Sequence, residues 1–258
     1  MTDYKTLLSN WFMEDRRRDI LRRVASGELS PDDAAGMLDE AETRGSLAVS
    51  TEIPGERAAR IRVVRTAGWT EIVGDPGVQE AVAEGPHVAR RDGDTLVIEG
   101  EERTADLPGF RFSWRRGYHM HFGDVTPLRL RVNPDLPLEV QSQAGSLRIR
   151  DVKAPIKADV QAGQTVIEGF AAPLQLTARA GSVRASGRLD HGASRVSCEA
   201  GSVKLRLEEG SSVRVTGKTT LGSVTVAGHQ ENGAWVIGDG QGTLDVSTTM
   251  GSVRVVTD

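Results

Sequence analysis

The chain has 258 residues and a single cysteine, Cys198, so no disulfide can form within it. Aromatic residues make up only 4% of the sequence, whereas there are 29 glycines. No stretch approaches the roughly 18–20 consecutive apolar residues of a membrane-spanning helix. The N-terminus, MTDYKTLLSNWFMEDRRRD, has no unbroken apolar run leading to a small-residue cleavage site. We therefore expect no signal peptide and a cytoplasmic protein, soluble or peripheral to the inner face of the membrane. A net charge of -4 and a pI near 5.8 give no bulk reason to expect nucleic acid. There is no G-x-x-x-x-G-K-[ST] loop, no cysteine pair and no H-E-x-x-H. Nothing points to a cofactor, a metal, a small-molecule substrate or a catalytic centre, so the expected protein is not an enzyme.

What the chain does have is one phrase written six times between residues 137 and 258: LEVQSQAGSLRI, IKADVQAGQTVI, LQLTARAGSVRA, SRVSCEAGSVKL, VRVTGKTTLGSVTV and LDVSTTMGSVRV. The repeat glycines are Gly145, Gly163, Gly181, Gly201, Gly222 and Gly251; the first four steps between them are 18 to 21 residues and the last is longer. A period near 20 signals a solenoid. Alternation on both sides of each glycine makes the flanks strands.

Aligned on the glycine, apolar columns stand seven before it (Leu138, Ile156, Leu174, Ser194, Val215, Leu244) and five before it (Val140, Ala158, Leu176, Val196, Gly217, Val246). Further columns stand one before it (Ala144, Ala162, Ala180, Ala200, Leu221, Met250), two after it (Leu147 to Val253) and four after it (Ile149 to Val255). All five are expected to line one interior, with glycine at the corner because it accepts backbone angles that a side chain forbids. Cys198, three before its glycine, aligns with Ser142, Val160 and Ala178 and reads as a buried thiol. The predicted fold is mainly β: a single-stranded parallel β-helix of about eight or nine turns, right-handed because the coil length varies, behind a short α-helical hairpin.

In chain order, residues 1–45 read as the hairpin, with the stripe Leu7, Leu8, Trp11 and Phe12, and with Ser30-Pro31-Asp32-Asp33 restarting a helix after Gly27. Residues 46–57 read as a linker and 58–136 as irregular first turns. The phrase at Thr66–Ile72 echoes the glycine repeat, with Trp69 after Gly68. Residues 229–240 read as an enlarged turn with a strand around Trp235–Ile237. The last phrase runs to Asp258, so Val253 and Val255 are expected on an exposed final rung.

The phrases DGDTLVIEG, LRVNPDLPLEV and the repeated AGSVRV turns resemble the "putative adhesin" β-helix family, a domain of unknown function that shares its architecture with bactofilins. The segment ILRRVASGELSPDDAAGMLDEAE is similar to the SHOCT-like hairpin of some bacterial envelope-stress proteins, where hairpin and β-helix occur in this order. The resemblance implies a non-enzymatic scaffold in the envelope-stress response. A glycan-binding surface adhesin and a polysaccharide-active β-helix enzyme stand as alternatives.

Three surfaces are candidates for contact. Residues 110–122 hold five of the eleven aromatics; Phe110, Phe112, Trp114, Arg115, Arg116, Tyr118 and Phe122 form either an aromatic–basic binding tip or an insertion packed on the wall. His119 and His121 within it are too few to hold a metal. Three positions after the glycine stand Arg148, Val166, Arg184, Lys204, Thr225 and Arg254, so Arg148, Arg184, Lys204 and Arg254 offer a stripe to an anionic membrane surface or acidic protein unless Glu168, Glu199 and Glu208 neutralise it. Self-association is assigned to Leu7, Leu8, Trp11 and Phe12, or to Val253 and Val255.

Overall fold

The structure, a computed structural model, describes residues 57–100, 127–231 and 233–258. The chain divides into two units, residues 1–49 and 50–258, and every described residue lies in the second. The expected hairpin and nearly all of the linker fall outside the described residues.

Alternating β-branched and polar residues give fourteen strands and, among the described residues, no helix. In chain order they are β1 (Arg60–Arg65), β2 (Trp69–Gly74), β3 (Ala81–Glu84), β4 (His87–Asp92), β5 (Thr95–Gly100), β6 (Leu128–Val132), β7 (Leu138–Arg150), β8 (Ile156–Phe170), β9 (Leu174–Gly187), β10 (Ala193–Leu207), β11 (Val213–Val226), β12 (His229–Glu231), β13 (Ala234–Ile237) and β14 (Gly242–Thr257). They form one sheet.

Each long strand is a whole rung, bent at its repeat glycine into a first arm and a second arm. Rungs stack in parallel with every glycine on its counterpart: Gly145 on Gly163, Gly163 on Gly181, Gly181 on Gly201. Strands β1 and β2 make a rung of the same kind, since β7 pairs with β1 before the corner and with β2 after it. Its corner is Gly68, whose carbonyl accepts the Ser146 N–H at 3.1 Å. Beyond it, β5 and β6 make a further rung on β1 and β2. Strands β3 and β4 close this end by running antiparallel to β6 and β5.

Rung order departs from chain order at both ends. The rung β5–β6 follows β1–β2 in sequence but lies outside it, and β14 lies between β10 and β11. The expected exposed final rung is therefore wrong. Val253 and Val255 are 1% and 0% exposed, held between Val203 and Val224 and between Leu205 and Val226. The real last rung is β11. The hairpin β12–β13, at the expected enlarged turn, runs antiparallel along its first arm only, at Val213–Val215.

The interior is filled by five columns, as expected, but not by the expected five. Positions seven, five and three before the glycine and two and four after it are buried in the regular rungs. The position just before the glycine faces out: Leu221 is 64% and Met250 52% exposed. Strict alternation fails there because the corner absorbs an extra residue. The register skips the residue two before each glycine, such as Arg179 or Glu199, and the inward phase changes from odd to even. Cys198 is buried in its predicted column, and burial pushes its thiol above the ordinary value. Ser194, the polar member of its column, accepts the Leu174 N–H at 3.1 Å. Arg65, almost wholly buried, stands level with Ser142 and packs against Gly100.

Gly181 shows why the corner excludes other residues. Its φ of 125° is left-handed territory, and a Cβ there would lie deep inside the Gly163 carbonyl oxygen and backbone. Gly181→Ala should cost more than about 3 kcal/mol of unfolding free energy by urea titration, because strain and a backbone clash combine. Thr165 makes the opposite case. It is buried between Leu147 and Val183, and its hydroxyl finds no partner. Thr165→Val should raise stability by about 1 kcal/mol in the same assay.

On the outer face of the first arm, Arg62 bonds Glu139 at 2.9 Å and Lys157 approaches it at 3.6 Å. Burial alone would raise the Glu139 carboxyl, but the Arg62 hydrogen bond and the charges of Arg62 and Lys157 outweigh it and hold the group below its ordinary 4.5. A carboxyl lowered on folding adds stability above about pH 4.5 and loses it as pH falls through the lowered value. Glu139→Gln should therefore be less stable at neutral pH, and its stability should vary less than wild type's between about pH 5 and pH 3.

Candidate functional site

Stacking at about 4.8 Å turns each outward position into a row of neighbouring side chains. The two arms use this differently. On the first arm, the row six before the glycine runs Arg62, Glu139, Lys157, Gln175, Arg195, Asp245. Opposite signs meet in it: Arg62 and Lys157 share Glu139, and Arg195 lies 3.7 Å from Asp245. In this row the charges are matched along the stack.

The second arm begins the same way. Glu71, largely buried, is paired with Arg150 and lies 3.9 Å from Arg129. Arg129 also sits over the Trp69 ring, 5.5 Å from its centroid. Arg131 bonds Asp75 at 3.2 Å. None of these pairs was anticipated, because Glu71 and Arg150 are 79 residues apart. The echo of the repeat at Gly68 is the signal that could have found them, since it places Glu71 level with Arg148.

Farther along, the matching stops. The row three after the glycine continues Arg148, Val166, Arg184, Lys204, Arg254, Thr225. Arg148, Arg184, Lys204 and Arg254 are all exposed, and none has an ion pair. Glu168, Glu199 and Glu208 do not neutralise them. Chain order would have left Thr225 between Lys204 and Arg254. The placement of β14 instead brings Arg184, Lys204 and Arg254 into direct succession. Like charges opposite one another on adjacent strands are destabilising, so this triplet does not serve the stability of the wall. Beside it, one position after the glycine, runs the hydroxyl row Ser182, Ser202, Ser252. Next to it on the other side is Arg206, 3.7 Å from Asp258. The result is a flat face of cations and hydroxyl donors suited to phosphate or carboxylate oxygens.

The other candidates fare differently. Phe110, Phe112, Trp114, Arg115, Arg116, Tyr118 and Phe122 lie outside the described residues, as do Leu7, Leu8, Trp11 and Phe12. A polysaccharide-active wall would need clustered acids, but Asp159, Glu168 and Asp190 fall on the first arm, on the second arm and between rungs. Asp190 is bonded to His191 and lies 3.2 Å from Arg188. Among the described residues no three side chains converge as metal ligands, and no helix is long and apolar enough to cross a membrane.

No curated protein matches the chain. Among solved structures, a "putative cell adhesion protein" from Clostridium sporogenes ATCC 15579 is similar at 11% identity, over 78% of this chain and 94% of that one, with a TM-score of 0.45. A family model, Toastrack DUF4097, matches residues 119–256, which include every regular rung and the whole cationic triplet. The chain belongs to the Toastrack family, a solenoid-like β family of unknown function.

Proposed function

We propose that this protein is a non-enzymatic interaction protein that lays the second-arm wall of its solenoid on an anionic membrane surface. The observation that carries the reading is the triplet Arg184, Lys204, Arg254: in register, exposed and without acidic partners, on a molecule whose first arm has a row that pairs its charges. Rungs about 4.8 Å apart hold the three cations on a rigid line. A line of point charges with adjacent hydroxyls suits a surface of repeated phosphates better than a single small ligand, which needs a concave site. A peripheral scaffold at the cell envelope fits this chemistry.

Vesicle sedimentation tests it. The full chain should bind phosphatidylglycerol vesicles, bind phosphatidylcholine vesicles far less, and lose binding as salt is raised. With about 1 kcal/mol for each basic residue at the surface, the triple variant Arg184→Gln, Lys204→Gln, Arg254→Gln should bind on the order of 100-fold more weakly. Its melting temperature should hold or rise, because a repulsive row has been removed. Equal binding by variant and wild type, or equal binding to both lipids, overturns the reading.

A further inference from the structure

The two ends of the solenoid are finished differently. At the β5–β6 end, β3 and β4 cover the rung; of the two strands left outermost there, β4 carries Arg90, Arg91 and Asp92, charges of the kind that keep a sheet edge from pairing, and β3 is only four residues long and ends in Glu84. At the β11 end, β13 covers only Val213–Val215. Among the described residues no strand pairs with the outer edge of β11 from Thr216 to Val226. That edge past Lys218 reads TTLGSVTV, with no charge and no proline, so it has none of the usual protections.

Its outward groups can be identified. The Ala227 N–H donates to the Val255 carbonyl on β14. Backbone groups alternate along a strand, so Thr225 and Ser223 also face β14, and the N–H and C=O of Val224 and Val226 face away. Their side chains are less covered than those of the rung beneath. Val224 and Val226 are only half-buried, whereas Val253 and Val255 beneath them are fully buried. The two second-arm columns thus end only partly covered, beside a cleft of about 870 Å³ lined in part by Gly217 and Val224.

We infer that this edge is an interface between two copies of the chain, which pair antiparallel through the second arm of β11. The strand is its own complement. Centred on Thr225, antiparallel pairing sets Val224 of one copy opposite Val226 of the other, so outward N–H and C=O groups exchange bonds. Both valine pairs then lie on the core face, and the Thr225 hydroxyls meet on the outer face, a favourable cross-strand pair. No like charges meet. The opposite end is covered, so assembly closes at a dimer and does not grow into a filament. The inference does not depend on the membrane reading, since the cationic triplet lies on the wall and not on this edge.

Size-exclusion chromatography with light scattering on the full chain tests it across a concentration series. Wild type should reach the mass of two 27.7 kDa chains. Thr225→Lys puts like charges face to face across the two-fold axis and should give single chains at the same concentration; because it also extends the cationic row beside Arg254, its melting temperature should fall slightly, while binding to phosphatidylglycerol vesicles should not decrease. Val226→Pro, which removes one outward N–H and leaves the bonds to β14 in place, should also give single chains. A wild-type monomer at every concentration overturns the inference; it would mean that this edge is covered within the chain or kept for another protein. A Thr225→Lys dimer, or wild-type assemblies larger than two chains, overturns it equally.

Discussion

The contact on which this fold depends is between successive corner glycines, each α-carbon resting on the carbonyl of the glycine beneath. It recurs from Gly68 through Gly145, Gly163, Gly181 and Gly201 to Gly251 and Gly222, and at each step after Gly68 a side chain would strike backbone. A slip of one residue would drive an alanine or serine Cβ into that space. Register is therefore set by exclusion at the corner as well as by the apolar columns, which a one-residue slip would turn outward and a two-residue slip would refill with Val, Leu and Ile.

Fixed register makes the surface periodic. Any residue type repeated at one place in the phrase becomes a line of identical side chains, and charges must be chosen against that tendency. The first arm does this, with Arg62, Glu139 and Lys157 alternating in sign. The second arm does so where Glu71 and Asp75 meet Arg150, Arg129 and Arg131, and where Arg206 meets Asp258. The unmatched stretch at Arg184, Lys204 and Arg254 is thus a departure from a rule that the same molecule follows elsewhere. Proteins keep such local conflicts where a surface has work to do.

Much of this was legible in the phrase itself. The glycine corner, the strands, four of the five interior columns and the buried Cys198 follow from alternation and period alone. The column just before the glycine did not, because alternation carried across the corner puts Ala180 inside, whereas the bend consumes a residue and turns it out. Rung order was equally hidden. Val203 and Val224 fit Val253 alike, so side-chain pattern cannot say whether β10 meets β11 or β14. That choice is made by the long connection between Val226 and Gly242, which doubles back as β12 and β13. Pairs such as Arg62 and Glu139, 77 residues apart, depend on the same non-local order.

That order is also what makes both candidate surfaces. Were the rungs stacked as they occur in the chain, Thr225 would divide Lys204 from Arg254, and the cationic row would hold two neighbours, not three. The strand left at the end would be β14, whose Arg254 and Asp245 would guard the edge with charge. Placing β14 inside moves its arginine next to Lys204 and pushes out β11, whose second arm has no charge to offer. One strand insertion thus concentrates positive charge on the wall and strips it from the edge. A row of adjacent cations on one face and an uncharged strand at one end are two results of a single step in the topology.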